Sequence, residues 1–169
     1  FDAKATFHSL GMRRREIMEQ TLQYPRADKY PDLTSVYANC SGPGGLKVAE
    51  FLCDKIQLAP GTRVLDIGTN YGFQTCFIAK EYQVDVIGID PWQDHAERVQ
   101  ENAIKWGIED RVLAMKVGVP ETTFASASFK IVYSTTTFEM FRGMHSQEKY
   151  LECLQEVFRI LRPGGRFTY

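Results

Sequence analysis

Val64-Leu65-Asp66-Ile67-Gly68-Thr69-Asn70-Tyr71-Gly72-Phe73-Gln74-Thr75 is the stretch that decides the fold. Its first four residues read as a short apolar strand and its last three open a helical run, with a turn between them. A chain that passes at once from strand to helix needs backbone conformations and close approaches that a Cβ blocks, and Gly68 and Gly72 permit both. Asn70 stands midway, and Asn is one of the few other residues that tolerate a left-handed backbone, so the turn is kept.

Working outward, apolar runs alternate with amphipathic ones, the pattern of a parallel sheet covered by helices on both faces. Strands are expected over Arg63–Ile67, Val84–Ile89, Arg111–Val117, Phe129–Ser134 and Gly165–Tyr169. Helical spacing is read in Leu46–Ile56, Gly72–Tyr82, Trp92–Trp106 and Gln147–Arg162. The last of these carries Tyr150, Leu151, Leu154, Val157, Phe158 and Leu161 at helical steps, and Pro163-Gly164-Gly165 is expected to stop it. Residues 1–44 are helical at first and then rich in Pro, Tyr and Asn, and read as a lid before a sheet domain over 45–169.

The 169 residues suit one domain. Lys and Arg number 20 against 21 Asp and Glu, so no overall field draws the chain to nucleic acid or an anionic membrane. Arg13-Arg14-Arg15 lies among Glu16 and Glu19 and reads as a solvated helix face. Cys40, Cys53, Cys76 and Cys153 are scattered, with no CxxC pair and no histidine at ligand spacing, which argues against zinc and against a disulfide framework. With neither an apolar run of membrane length nor a secretory leader in view, the expected location is cytoplasmic.

Asp90 ends the second strand 22 residues beyond Gly68, where a Rossmann-like fold places a carboxylate over the two hydroxyls of a ribose. The dinucleotide fingerprint would need glycines at positions 70 and 73, which are Asn70 and Phe73, so a nicotinamide cofactor is disfavoured. Trp92 follows directly and reads either as a cover for a ligand's apolar edge or as a packing residue.

These motifs together resemble the class I S-adenosylmethionine-dependent methyltransferases. LAPGTRVLDIGTNYGFQTCFIAKEY is similar to that family's opening strand, turn and helix, VIGIDPW to its second strand, and NAIKWGIEDRVLAMKVG to the approach to its third. SFKIVYSTTTFEMF is similar to the segment bordering the transferring methyl group, and EVFRILRPGGRF to the end of the order; SGPGGLKVAEFL resembles the phosphoethanolamine and sarcosine type. The resemblance implies a Rossmann-like parallel sheet of order 3-2-1-4-5. It implies S-adenosyl-L-methionine as cofactor, held by Asp66, Gly68, Thr69, Asn70, Gly72, Asp90, Pro91, Trp92, Gly118, Val119 and Ser134, and a small-molecule acceptor.

Three positions depart from the family pattern: Gly118-Val119 replaces the common Gly-Asp, Lys130 replaces the Asp before the fourth strand, and Met140 replaces a frequent His. The family also adds an antiparallel hairpin beyond the fifth strand, inside which this sequence stops; a further C-terminal segment or a second copy is expected over that edge.

For the acceptor side, Glu139 is a candidate general base and Tyr37 a candidate lid contact. Ser134, Thr135, Thr136, Phe138, Tyr71, Tyr24 and Tyr30 are further candidates, whereas His8, His95 and His145 read as surface or packing residues. Because a sulfonium cofactor carries the leaving group, alignment of the two reactants and exclusion of water would suffice, and no catalytic triad is called for. A second reading stays open: a non-catalytic S-adenosylmethionine- or nucleoside-binding module that retains the fold.

Overall fold

The computed structural model describes residues 24–30, 45–92 and 94–169. In chain order it contains a 3-10 turn (Ala27–Lys29), α1 (Gly45–Lys55), β1 (Arg63–Ile67), α2 (Phe73–Tyr82), β2 (Asp85–Ile89), α3 (His95–Trp106) and β3 (Val112–Met115). β4 (Phe129–Ser134), α4 (Thr137–Met144), α5 (Gln147–Ile160) and β5 (Leu161–Thr168) follow. All four pairings are parallel and the strand order is β3-β2-β1-β4-β5, the order that the family resemblance implies.

A parallel sheet is buried on both faces, and successive side chains of a strand point to opposite sides. Val64, Val86, Ile131 and Tyr133 therefore join Ala49, Phe77, Ile78, Val99 and Ala103 from α1, α2 and α3 in one core. Leu65, Ile67, Ile89 and Val132 join Phe138, Cys153, Val157 and Ile160 from α4 and α5 in the other. Left-handed residues end the helices on the first face: Gln83 (φ 54°) closes α2, and Gly107 (φ 66°) closes α3 with its amide donating to Ala103 and Ile104 carbonyls. Ser146 caps α5 by accepting from the Lys149 amide at 3.2 Å.

The long connection between β3 and β4 is held onto α5 by polar contacts. The Arg159 guanidinium grips Glu156 through two bonds of 2.6 and 2.7 Å and donates to the Phe124 carbonyl at 2.7 Å. Thr122 donates to the same Glu156 carboxylate.

Of the element boundaries that differ from expectation, two have clear local reasons. The helix ending in α5 stops at Ile160, before Pro163: Arg162 precedes a proline, which disfavours the helical region, and Leu161 is already extended and paired with Phe129. The register then shifts, so that regular pairing resumes with Arg166 opposite Ile131. The third helix begins at His95, not Trp92, whose amide is held in the preceding turn by Asp90.

Candidate functional site

Gly68 follows β1 and takes φ +81°, and a Cβ there would lie 1.9 Å from the Thr137 hydroxyl oxygen. The missing side chain thus lets the start of α4 close on the turn, leaving bare main chain beside it. Asn70 is left-handed (φ 49°), the conformation expected of it, and Gly72 (φ 79°) sits directly before α2. At Gly72 a Cβ would come within 2.8 Å of Val99, so this glycine sets how closely α2 approaches α3.

Asp90, at the end of β2, is drawn onto this turn. The Asn70 amide donates to its Oδ2 at 3.0 Å, and the Trp92 amide to its Oδ1 at 3.0 Å. A carboxylate has about four lone-pair sites, so the two amides do not exhaust its acceptor capacity. His95 Nδ1 lies 2.9 Å from Oδ1, but the contact is not aligned as a hydrogen bond, and that buried nitrogen has no hydrogen-bond partner. The ring stands edge-on to Tyr71, at 5.1 Å between centroids.

Above the turn lies a small cleft of about 220 Å³, open to solvent. It stands over the carboxyl ends of β1, β2 and β4, where the strand order reverses and where open α/β sheets bind ligands. Gly68, Asn70, Asp90, Pro91 and Trp92 line it, five of the residues that the resemblance implies for the cofactor. Thr136, an acceptor-side candidate, lines it too. It holds φ 63° at the start of α4, a conformation uncommon for a β-branched residue and of a kind that clusters at functional sites.

The other candidates lie elsewhere. Ser134 is fully buried and donates to the Ile67 carbonyl at 2.9 Å; Val119 and Phe138 belong to the second core. Gly118 packs against the Pro91 ring, and Thr69 is buried beneath the turn. Glu139 is exposed in the first turn of α4 and off the cleft wall. Tyr71 is held against α3, with Arg98 4.6 Å above its ring and Asn102 donating to its carbonyl. Tyr30 stacks on Trp106 at 4.9 Å and donates to Glu81, and Tyr24 packs on the same core, so neither faces the cleft. Tyr37 lies outside the described residues.

Sequence reasoning passed over His95, Thr137, Phe141, Met144 and His145, all of which line the cleft. The signal was present in Phe138 and Phe141 and in Met140 and Met144, pairs at helical spacing in an element of only eight residues.

Two buried polar groups brace the site from behind. Burial holds the Asp66 carboxyl up at about 7, although the Thr75 hydroxyl donates to it at 2.7 Å; the nearby Asp90 charge raises it further. Gln74 accepts at one oxygen from Tyr133 (3.0 Å) and Thr135 (2.6 Å) and donates to the Gly45 carbonyl (2.9 Å), joining the starts of α1 and α2 to the end of β4. Among the described residues no cluster of His, Cys, Asp and Glu could hold a metal ion, and no helix is long and apolar enough to cross a membrane.

A five-stranded parallel sheet with a glycine turn after its central strand and a carboxylate at the end of the next defines a Rossmann-like domain, with an open cleft at the reversal of strand order. The family model for a methyltransferase domain matches residues 64–165, more than half of the chain, and the chain belongs to that family. It is 28% identical over 122 residues to 27-O-demethylrifamycin SV methyltransferase of Amycolatopsis mediterranei, covering 72% of this chain and 43% of that protein. It is likewise 28% identical to sarcosine/dimethylglycine N-methyltransferase of Aphanothece halophytica, covering 70% and 41%. The chain therefore spans less than half the length of these two relatives. In fold it matches a Geobacter sulfurreducens methyltransferase solved with S-adenosyl-L-homocysteine, at TM-score 0.60 and 23% identity over 87% of this chain and 55% of that one.

Proposed function

We propose that this chain is an S-adenosylmethionine-dependent methyltransferase acting on a small-molecule acceptor, with its cofactor in the cleft beside Asp90. The observation that carries the reading is the Asn70–Asp90 bond, which puts a carboxylate and a bare glycine turn on one cleft in a chain of the methyltransferase-domain family.

The residues present fit that cofactor. Asp90 keeps acceptor capacity beyond its two amide bonds, the turn beginning at Gly68 borders the cleft, and Pro91 and Trp92 offer apolar surface. When bound, S-adenosylmethionine supplies a methyl carbon on a sulfonium whose C–S bonding pair stays with sulfur. The chain's own part is to align an acceptor with that carbon and to keep water away, effects that can supply about 7–11 kcal/mol of a barrier. His95 and His145 on the wall are placed to receive a proton from an acceptor that must lose one. In this reading the chain works in the cytoplasm, which suits the free thiols of Cys53, Cys76 and Cys153.

Calorimetry with S-adenosylmethionine, S-adenosylhomocysteine and NAD tests the cofactor. Saturable heat from the first two and none from NAD is expected; no heat from either adenosyl compound contradicts the reading. The placement of Glu139 off the wall favours a second reading, a non-catalytic module that binds the cofactor alone. A mass-spectrometric screen of small amines, phenols and carboxylates separates the two: a +14 Da product would rule the module out.

A further inference from the structure

The wall of the cleft narrows the class of acceptor, given the cofactor reading above. Met140, Phe141 and Met144 project from α4, and Trp92 stands on the side of Asp90. Trp92, Met140 and Met144 remain 68%, 51% and 71% exposed. A single exposed apolar side chain needs no explanation, but several gathered on one concavity mark a surface that takes an apolar occupant. Methionine suits such a surface, because its unbranched, polarizable chain adapts to irregular shapes.

Charge points the same way. Among the described residues lining the cleft there is no Lys or Arg; the titratable side chains are Asp90, His95 and His145. Arg142, on the same helix, lines a different hollow with Gln147, Tyr150 and Leu151. Among the described residues a phosphate or carboxylate meets no Lys or Arg in the cleft and lies beside the Asp90 carboxylate, so its lost hydration is poorly replaced there.

We propose that the acceptor is a neutral molecule with an apolar body, docked against Trp92, Met140, Phe141 and Met144, and methylated on a hydroxyl or uncharged amine. The heteroatom lone pair forms the new bond to the methyl carbon, the C–S pair leaves with sulfur, and the heteroatom proton passes to water or to a wall imidazole.

The test uses the full chain saturated with S-adenosylhomocysteine and follows tryptophan fluorescence, with Trp92→Phe isolating the Trp92 signal from that of Trp106. Titration with 4-pentylphenol is expected to give a saturable change, while O-phosphoethanolamine and sarcosine give none. Met144→Glu, with its side chain 71% exposed in the native chain, should keep the native melting curve and weaken phenol binding at least tenfold. The proposal is overturned by saturation with phosphoethanolamine or sarcosine, by phenol affinity unchanged in Met144→Glu, or by silence toward every probe. Failure of S-adenosylhomocysteine itself to bind would overturn the cofactor reading instead; the phenol titration is then run on the free chain, where the Met144→Glu criterion decides equally.

Discussion

The backbone amide of Asn70 donates to Oδ2 of Asp90 at 3.0 Å, joining the turn after β1 to the end of β2 across 20 residues of sequence. The bond fixes where the carboxylate points, and the left-handed backbone at Asn70 belongs to the same turn that presents the amide. Asp90 is buried with an amide on each oxygen, which holds its carboxylate in one orientation.

Gly68→Ala should be destabilising. A left-handed backbone at a residue with a Cβ costs about 1–2 kcal/mol, and the new atom would lie 1.9 Å from the Thr137 hydroxyl oxygen. A total loss of about 2–4 kcal/mol is expected, a fall in Tm of very roughly 5–15 °C for a chain of this length. Thr137→Ala removes the obstructing hydroxyl, so the double variant should recover at least about 1 kcal/mol relative to the sum of the singles. Strict additivity in chemical denaturation would show that the two residues do not meet.

Burial should give Asp66 a measurable pH signature. Its carboxyl titrates near 7 in the folded chain against 3.8 for an ordinary one, so between these values the native state holds a proton that the unfolded state has lost. Stability from this group is therefore full below about pH 4 and declines as pH rises toward 7, by up to about 4 kcal/mol. Asp66→Asn, which still accepts from Thr75, should melt closer to wild type at pH 4 and higher than wild type at pH 8. Parallel Tm profiles for the two proteins would contradict the assignment.

Gln74→Leu tests the brace behind the cleft. The substitution removes the Gln74 bonds to the Tyr133 and Thr135 hydroxyls and to the Gly45 carbonyl, at a cost of about 2–4 kcal/mol. Hydrogen exchange should quicken at the start of α1 and the end of β4 more than in β3. Uniform exchange, or a loss below about 0.5 kcal/mol in urea, would mean that the network does not hold these elements together.

How much was legible in the sequence depended on how local each signal was. The turn at Gly68–Gly72 and the acid closing the second strand are encoded within a few residues, and both could be read directly. The helix over Thr137–Met144 was missed because three threonines precede a short apolar pattern, and its importance arises from contact with Gly68 and Ile67, 70 residues away in the latter case. Tyr30 shows the converse error: in an irregular, polar stretch it read as a lid residue, but its ring had a partner in Trp106 that no periodicity reveals. His95 likewise read as a packing residue until the fold set its ring nitrogen 2.9 Å from Asp90.

The most direct test compares S-adenosylhomocysteine binding by the wild-type chain and Asp90→Ala in the calorimeter. Hydrogen bonds to a charged acceptor contribute about 1.5–3 kcal/mol each, so the variant should bind about 10- to 100-fold more weakly while keeping its fold by circular dichroism. An equal dissociation constant in the two proteins would remove Asp90 from the site and contradict the account.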